Sequence, residues 1–132
     1  METKAFIVGL SIAATFLISF ISIQNDPWPV PEKYVNMTNP VKGDADAVTA
    51  GKALWVKHCQ SCHGKAGAGD GTKAAQLESE LVDMKSAEFQ KQTDGEMFYK
   101  TLTGRDEMPS FEKKIPDQED LWSIVNFMRT LK

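Results

Sequence analysis

Apolar and polar positions divide the chain into three stretches of different character. From Ala5 to Ile23, nineteen consecutive residues (AFIVGLSIAATFLISFISI) carry no charge. At about 1.5 Å per helical residue such a run reaches roughly 28 Å, close to the hydrocarbon thickness of a bilayer. The pattern predicts an uncleaved membrane anchor over residues 1–24. Lys4, just before the run, makes a secretory signal peptide the competing reading. The apolar core of a signal peptide is shorter, about 7–15 residues, and is closed by a small-x-small pair. This run instead ends Ser19-Phe20-Ile21-Ser22-Ile23. Residues 25–43 follow as NDPWPVPEKYVNMTNPVKG, with Pro27, Pro29, Pro31 and Pro40. Proline fixes φ and favours extended geometry, which predicts a semi-rigid spacer rather than a core element. Trp28 and Tyr34 within it suit a membrane interface, or packing on the domain or on a neighbouring subunit.

The third stretch, residues 44–132, reads as helices and loops. Asp46 to Cys59 has good helix formers, apolar positions at Val48, Leu54, Trp55 and Val56, and Asp46 as the expected N-cap. Gly51 in its middle costs up to about 1 kcal/mol against alanine, the usual sign of close backbone approach. Gly64 to Gly71 (GKAGAGDG) holds four glycines and must be loop. Ala74 to Met84 is expected to form a short helix. Thr93 with Glu96 three residues on is a capping box, predicting a helix that runs to about Thr103 and ends at Gly104. Pro116-Asp117 opens a last helix, whose Leu121, Ile124, Val125, Met128 and Leu131 make one apolar stripe widened by Trp122 and Phe127. No strand pattern or repeat appears. The expected fold class is all-α.

Charge narrows the function. The net charge is −3, and with no basic patch a nucleic-acid partner is not expected. Mild acidity suits transient docking on a more basic protein surface. The chain holds two cysteines, so one disulfide at most is available to staple a small domain.

Those cysteines carry the chemistry. Cys59-Gln60-Ser61-Cys62-His63 is the c-type haem attachment signature. Two thiols three apart at a helix end can bond the two vinyl groups on one porphyrin edge, and the adjacent histidine then offers its imidazole to iron. A zinc site wants four ligands, and His58 beside Cys59 is poorly placed to complete a tetrahedron. A thioredoxin-type pair lacks its βαβ context, and a plain disulfide leaves His63 and the glycine loop unexplained. A sixth iron ligand is expected from Met108. It lies in the loop Gly104-Arg105-Asp106-Glu107-Met108-Pro109-Ser110-Phe111, where Pro109 removes a backbone donor and biases Met108 to extended geometry. Met97 and Met128 fall on apolar helix faces, where core packing is expected. Met84 remains an alternative ligand. Arg105 suits either a haem propionate or a solvated surface position, and His58 is expected at the surface.

Gly51-x-x-Leu54-Trp55, the Cys59–Gly64 motif, Gly67-x-Gly69-Asp70-Gly71, Met108-Pro109-Ser110-Phe111 and the closing Trp122–Leu131 together resemble a class I cytochrome c, closest to small membrane-anchored haem domains. The resemblance covers about Asp46 to Leu131. It implies that the first and last helices cross at Gly51, that Trp55 packs near Phe127, and that one haem c is held by Cys59, Cys62, His63 and Met108. The family often has a proline in the loop after the motif, near the carbonyl that orients the histidine. Residues 64 to 108 contain none.

The implied activity is one-electron transfer without catalysis. The chain would be a carrier tethered to the inner membrane of a bacterium, with its haem domain on the periplasmic side. Its expected partners are the membrane and a quinol-oxidising complex, terminal oxidase or soluble cytochrome. A fixed subunit of a multi-subunit oxidoreductase is the alternative; an open-site haem enzyme or gas sensor follows if Met108 is not a ligand.

Overall fold

In a computed structural model, which describes residues 27–132, six α-helices follow one another: α1 (Glu32–Val35), α2 (Ala45–His58), α3 (Gln60–His63), α4 (Ala87–Gln90), α5 (Asp94–Thr103) and α6 (Gln118–Met128). The anchor expected over residues 1–24 lies outside the described residues. Among those described, no helix is long and apolar enough to cross a membrane.

Local chemistry sets the helix ends. Asp44, two residues earlier than expected, caps α2 by accepting from the amides of Asp46 and Ala47. The capping box of α5 forms as read, Thr93 accepting from the Glu96 amide and Glu96 from the Thr93 amide. Asp117 caps α6, whose eight residues from Leu121 to Met128 are all buried. The helix expected over Ala74–Met84 is not there. A single 3-10 turn, Ala74–Gln76, replaces it, and the chain then runs on without helix to Asp83.

α2 crosses α6 with Gly51 at the contact, where a Cβ would overlap the backbone carbonyl of Ser123. One turn on, Trp55 is 1% exposed and its ring lies 5.6 Å from that of Phe127. α5 packs on the other side of α6, Phe98 stacking on Trp122 at 4.1 Å. Arg129 pins the end of α6 to the start of α5: it bonds the Asp94 carboxylate at 2.7 Å and donates to the backbone carbonyls of Gln90 and Gln92. These contacts surround one apolar core in which Met84, Met97 and Met128 are all buried.

The proline-rich stretch is not a free spacer. From Pro27 onward it folds onto the domain, and α1 lies against α5. The Tyr34 ring sits 4.6 Å from that of Tyr99. Asn39 is buried, donating to Asn126 at 2.8 Å and to Asp94 at 3.2 Å while accepting from the Val41 amide. Trp28 lies under two cations, Arg105 at 4.8 Å and Lys100 at 5.9 Å from its ring centre. The prolines give stiffness, while the residues between them supply the contacts. Asn39→Ala would leave the buried Asn126 side-chain oxygen, and one oxygen of the half-buried Asp94 carboxylate, without the Asn39 donor. It is expected to cost about 1–3 kcal/mol, read as a lower urea midpoint at unchanged slope.

Candidate haem site

The end of α2 and the short α3 bring Cys59, Cys62 and His63 together on two turns of backbone. Cys59 is the C-cap of α2 and the N-cap of α3, so the chain turns at the first thiol. The glycine loop then wraps the motif. Gly69 donates to the His63 carbonyl at 2.9 Å, Gly71 to that of Cys62 at 3.1 Å, and Lys73 to that of Ser61 at 2.8 Å. A Cβ on Gly71 would overlap the Ser61 and Cys62 backbone, so only glycine lets the loop run this close. From below, the Trp55 indole donates to the Gly64 carbonyl at 3.1 Å and its ring lies 5.8 Å from the His63 imidazole.

Whether these residues fit a covalently held haem is decided by their donor chemistry. Cys59 is buried and Cys62 half-buried, and they form no disulfide. Burial, with Cys62 adding to it, pushes the Cys59 thiol up to about 12, so it rests as the neutral thiol. Burial lowers the His63 pKa, keeping the imidazole in the neutral form that ligates metal. Among the described residues its Nδ1, which is buried, finds no hydrogen-bond partner. Among the described residues no cluster of three or more His, Cys, Asp or Glu side chains offers a metal cage. The donor set is that of a haem pocket, two free thiols beside one neutral imidazole.

Met108 stands in a turn 45 residues beyond His63. Arg105 and Met108 exchange both backbone hydrogen bonds, each at 2.9 Å, closing a tight turn in which Asp106 takes φ +51°. Below the turn, Ser110 and the amides of Phe111 and Glu112 all donate to the Leu102 carbonyl. Met108 is half-buried against the core cluster that contains Cys59 and Phe111. Met84, 5% exposed, is itself a member of that cluster, with its Cβ packed at Gly67 and its amide bonded to the Gly67 carbonyl.

Arg105 lies over Trp28, donates to the Pro27 carbonyl and pairs with Asp106 at 3.4 Å. His58 is half-buried, its ring edge-on to Phe111 at 6.0 Å. Glu107 went unremarked in the sequence, yet its carboxylate accepts from the amides of Glu78 and Ser79, at 2.9 and 3.3 Å. No local pattern announces a partner so distant along the chain.

Residues 46–128 match the protein family described as cytochrome c oxidase, cbb3-type, subunit III. Among curated proteins no relative matches. Among solved structures, a chain of the Kuenenia stuttgartiensis reducing HAO-like protein complex superposes with a TM-score of 0.65 at 24% identity, over 82% of this chain and 52% of that one. This chain therefore spans about half the length of that relative. The c-type cytochrome KustC0563 is 27% identical, with a TM-score of 0.51 over 62% of this chain and 96% of its own. With one CxxCH motif, the matched family and the donor set agreeing, the chain belongs to the cytochrome c oxidase, cbb3-type, subunit III family and is a mono-haem cytochrome c with covalently bound haem c.

Proposed function

We propose that Cys59 and Cys62 hold the haem as thioethers, that His63 Nε2 and the Met108 thioether are its axial ligands, and that the chain passes single electrons at a membrane. Bound in this way, the haem supplies a ferric/ferrous couple. The residues do the rest. His63 is held neutral against Trp55, and the Arg105–Met108 turn presents a half-buried thioether at the edge of the core. That turn is the observation that carries the reading, because the other methionines of the α2–α6 domain are consumed in packing. A soft thioether favours ferrous iron and raises the reduction potential relative to stronger-donor pairs. With His63 and Met108 both holding the iron, no position would be left there for a substrate.

Met108→Ala tests the assignment. The ferric protein should lose its weak methionine–iron charge-transfer band and the ferrous form should bind CO readily, whereas Met84→Ala should keep the band. The opposite pattern would move the ligand to Met84.

The uncharged run from Ala5 to Ile23 supports a single-pass anchor, with the haem domain on the periplasmic side of a bacterial inner membrane. A shuttle would need the stretch from Asn25 to Gly43 extended, a reach of up to about 65 Å. The residues from Pro27 onward are instead docked on the domain, which favours a fixed subunit of a membrane oxidoreductase over a mobile carrier. The matched family, described as an oxidase subunit, supports a terminal oxidase as the partner. Purification in mild detergent should yield a stoichiometric complex; a lone haem protein would restore the shuttle.

A further inference from the structure

The turn that bears Met108 is held at its base by the Leu102 carbonyl and on one side by Arg105, which reaches Trp28 and the Pro27 carbonyl. Its other side carries a tie that the function described so far does not use. Glu107, the residue before Met108, extends its carboxylate across to the segment that follows the haem motif. One oxygen, Oε2, accepts from both the Glu78 and the Ser79 amides. This segment is short of other anchors. It leaves the 3-10 turn at Leu77, passes Gly69 closely at Leu81 and rejoins the core at Met84, whose amide bonds the Gly67 carbonyl. The carboxylate thus links two loops whose ends are fixed independently, one on the Gly67 side of the motif and one on α5. The two loops part from one another only if both hydrogen bonds break.

We infer that Glu107 is a positioning residue that latches the Met108 loop to the Glu78–Ser79 backbone and so keeps the thioether on the iron. The inference rests on Met108 being the axial ligand. A thioether is a soft donor and holds ferric iron weakly, so the fraction of time the loop stands open sets how readily an outside ligand replaces it. Removing the latch raises that fraction. Two amide bonds to a carboxylate, both exposed, are together worth at most about tenfold in an opening equilibrium.

The test uses the full-length holoprotein in mild detergent, with ferric samples titrated with imidazole. Glu107→Ala should bind imidazole about three- to tenfold more tightly than the parent and show a weakened methionine–iron charge-transfer band. Glu107→Gln keeps a carbonyl oxygen for the two amides and should stay within about twofold of the parent. Met108→Ala should bind imidazole more tightly than either. If Glu107→Ala stays within about twofold of the parent, the latch is overturned, whatever the variant does to the melting temperature. If Glu107→Gln loosens as much as Glu107→Ala, charge and not hydrogen bonding is responsible, and the latch again falls. A Met108→Ala protein that keeps its band and its imidazole affinity overturns the ligand assignment first and the latch with it, which separates the two failures.

Discussion

The double variant Cys59→Ser, Cys62→Ser is expected to carry no haem through denaturing electrophoresis, while the parent stains for haem at the position of its polypeptide. The chain has these two cysteines and no others, so no third thiol can form a thioether. Serine keeps nearly the same volume, so whatever is lost is lost to chemistry and not to a cavity. Each single variant retains one thiol and should keep haem on a single bond. The structural consequence reaches beyond attachment. A domain of this size supports only a marginal core, and small folds commonly need a staple or cofactor to complete it. Cys59 is part of the buried cluster with Trp55, Phe111 and Phe127, so the bonds made there fasten the cofactor to the core itself. The double variant should therefore also melt earlier and less cooperatively by far-UV circular dichroism. Haem that stays on the denatured double variant would sink the assignment of both cysteines.

The parts of this site that could be read in the sequence are those made by neighbours. Cys59 to His63 is a five-residue motif whose chemistry depends on spacing alone, and the Thr93–Glu96 box works within one helical turn. The stripe on α6 announces a buried helix because its period is its own. Other parts depend on partners far along the chain. Leu77 to Asp83 contains residues that tolerate helix, but the Glu78 and Ser79 amides are taken by Glu107, nearly thirty residues on, and helix cannot use them. The stretch from Pro27 to Gly43 has the composition of a spacer. What docks it is Asn39 meeting Asn126 and Tyr34 meeting Tyr99, pairings that only the folded chain creates. Proline content reports stiffness and says nothing of where a stiff segment lies.

Gly51 gives the other large effect, and its substitutions separate helix propensity from helix packing. In an isolated helix, alanine for glycine would stabilise by about 0.5–1 kcal/mol. Here the sign should reverse, because a Cβ at position 51 overlaps the Ser123 carbonyl and closely approaches the Ile124 amide. Both are backbone groups of α6, so no side chain can rotate away, and the two helices must separate. Separation strips contacts from the layer they enclose, in which Trp55, Leu121, Ile124 and Val125 are each no more than 1% exposed. Gly51→Ala is expected to lose stability despite its better propensity, and Gly51→Val to lose more, about 3 kcal/mol or above, the upper end of what overpacking a core costs. Against a total near the low end of about 5–15 kcal/mol, as suits a domain this small, a loss of that size should unfold the valine variant in low urea, well before the parent. Haem bonded through thioethers survives unfolding, so this variant should stain for haem like the parent while its ferric spectrum in low urea lacks the methionine–iron band. That combination, attachment kept and axial ligation lost, distinguishes a failed α2–α6 crossing from a failed motif. A Gly51→Ala protein with a urea midpoint at or above the parent's would show that the helices do not meet at this residue.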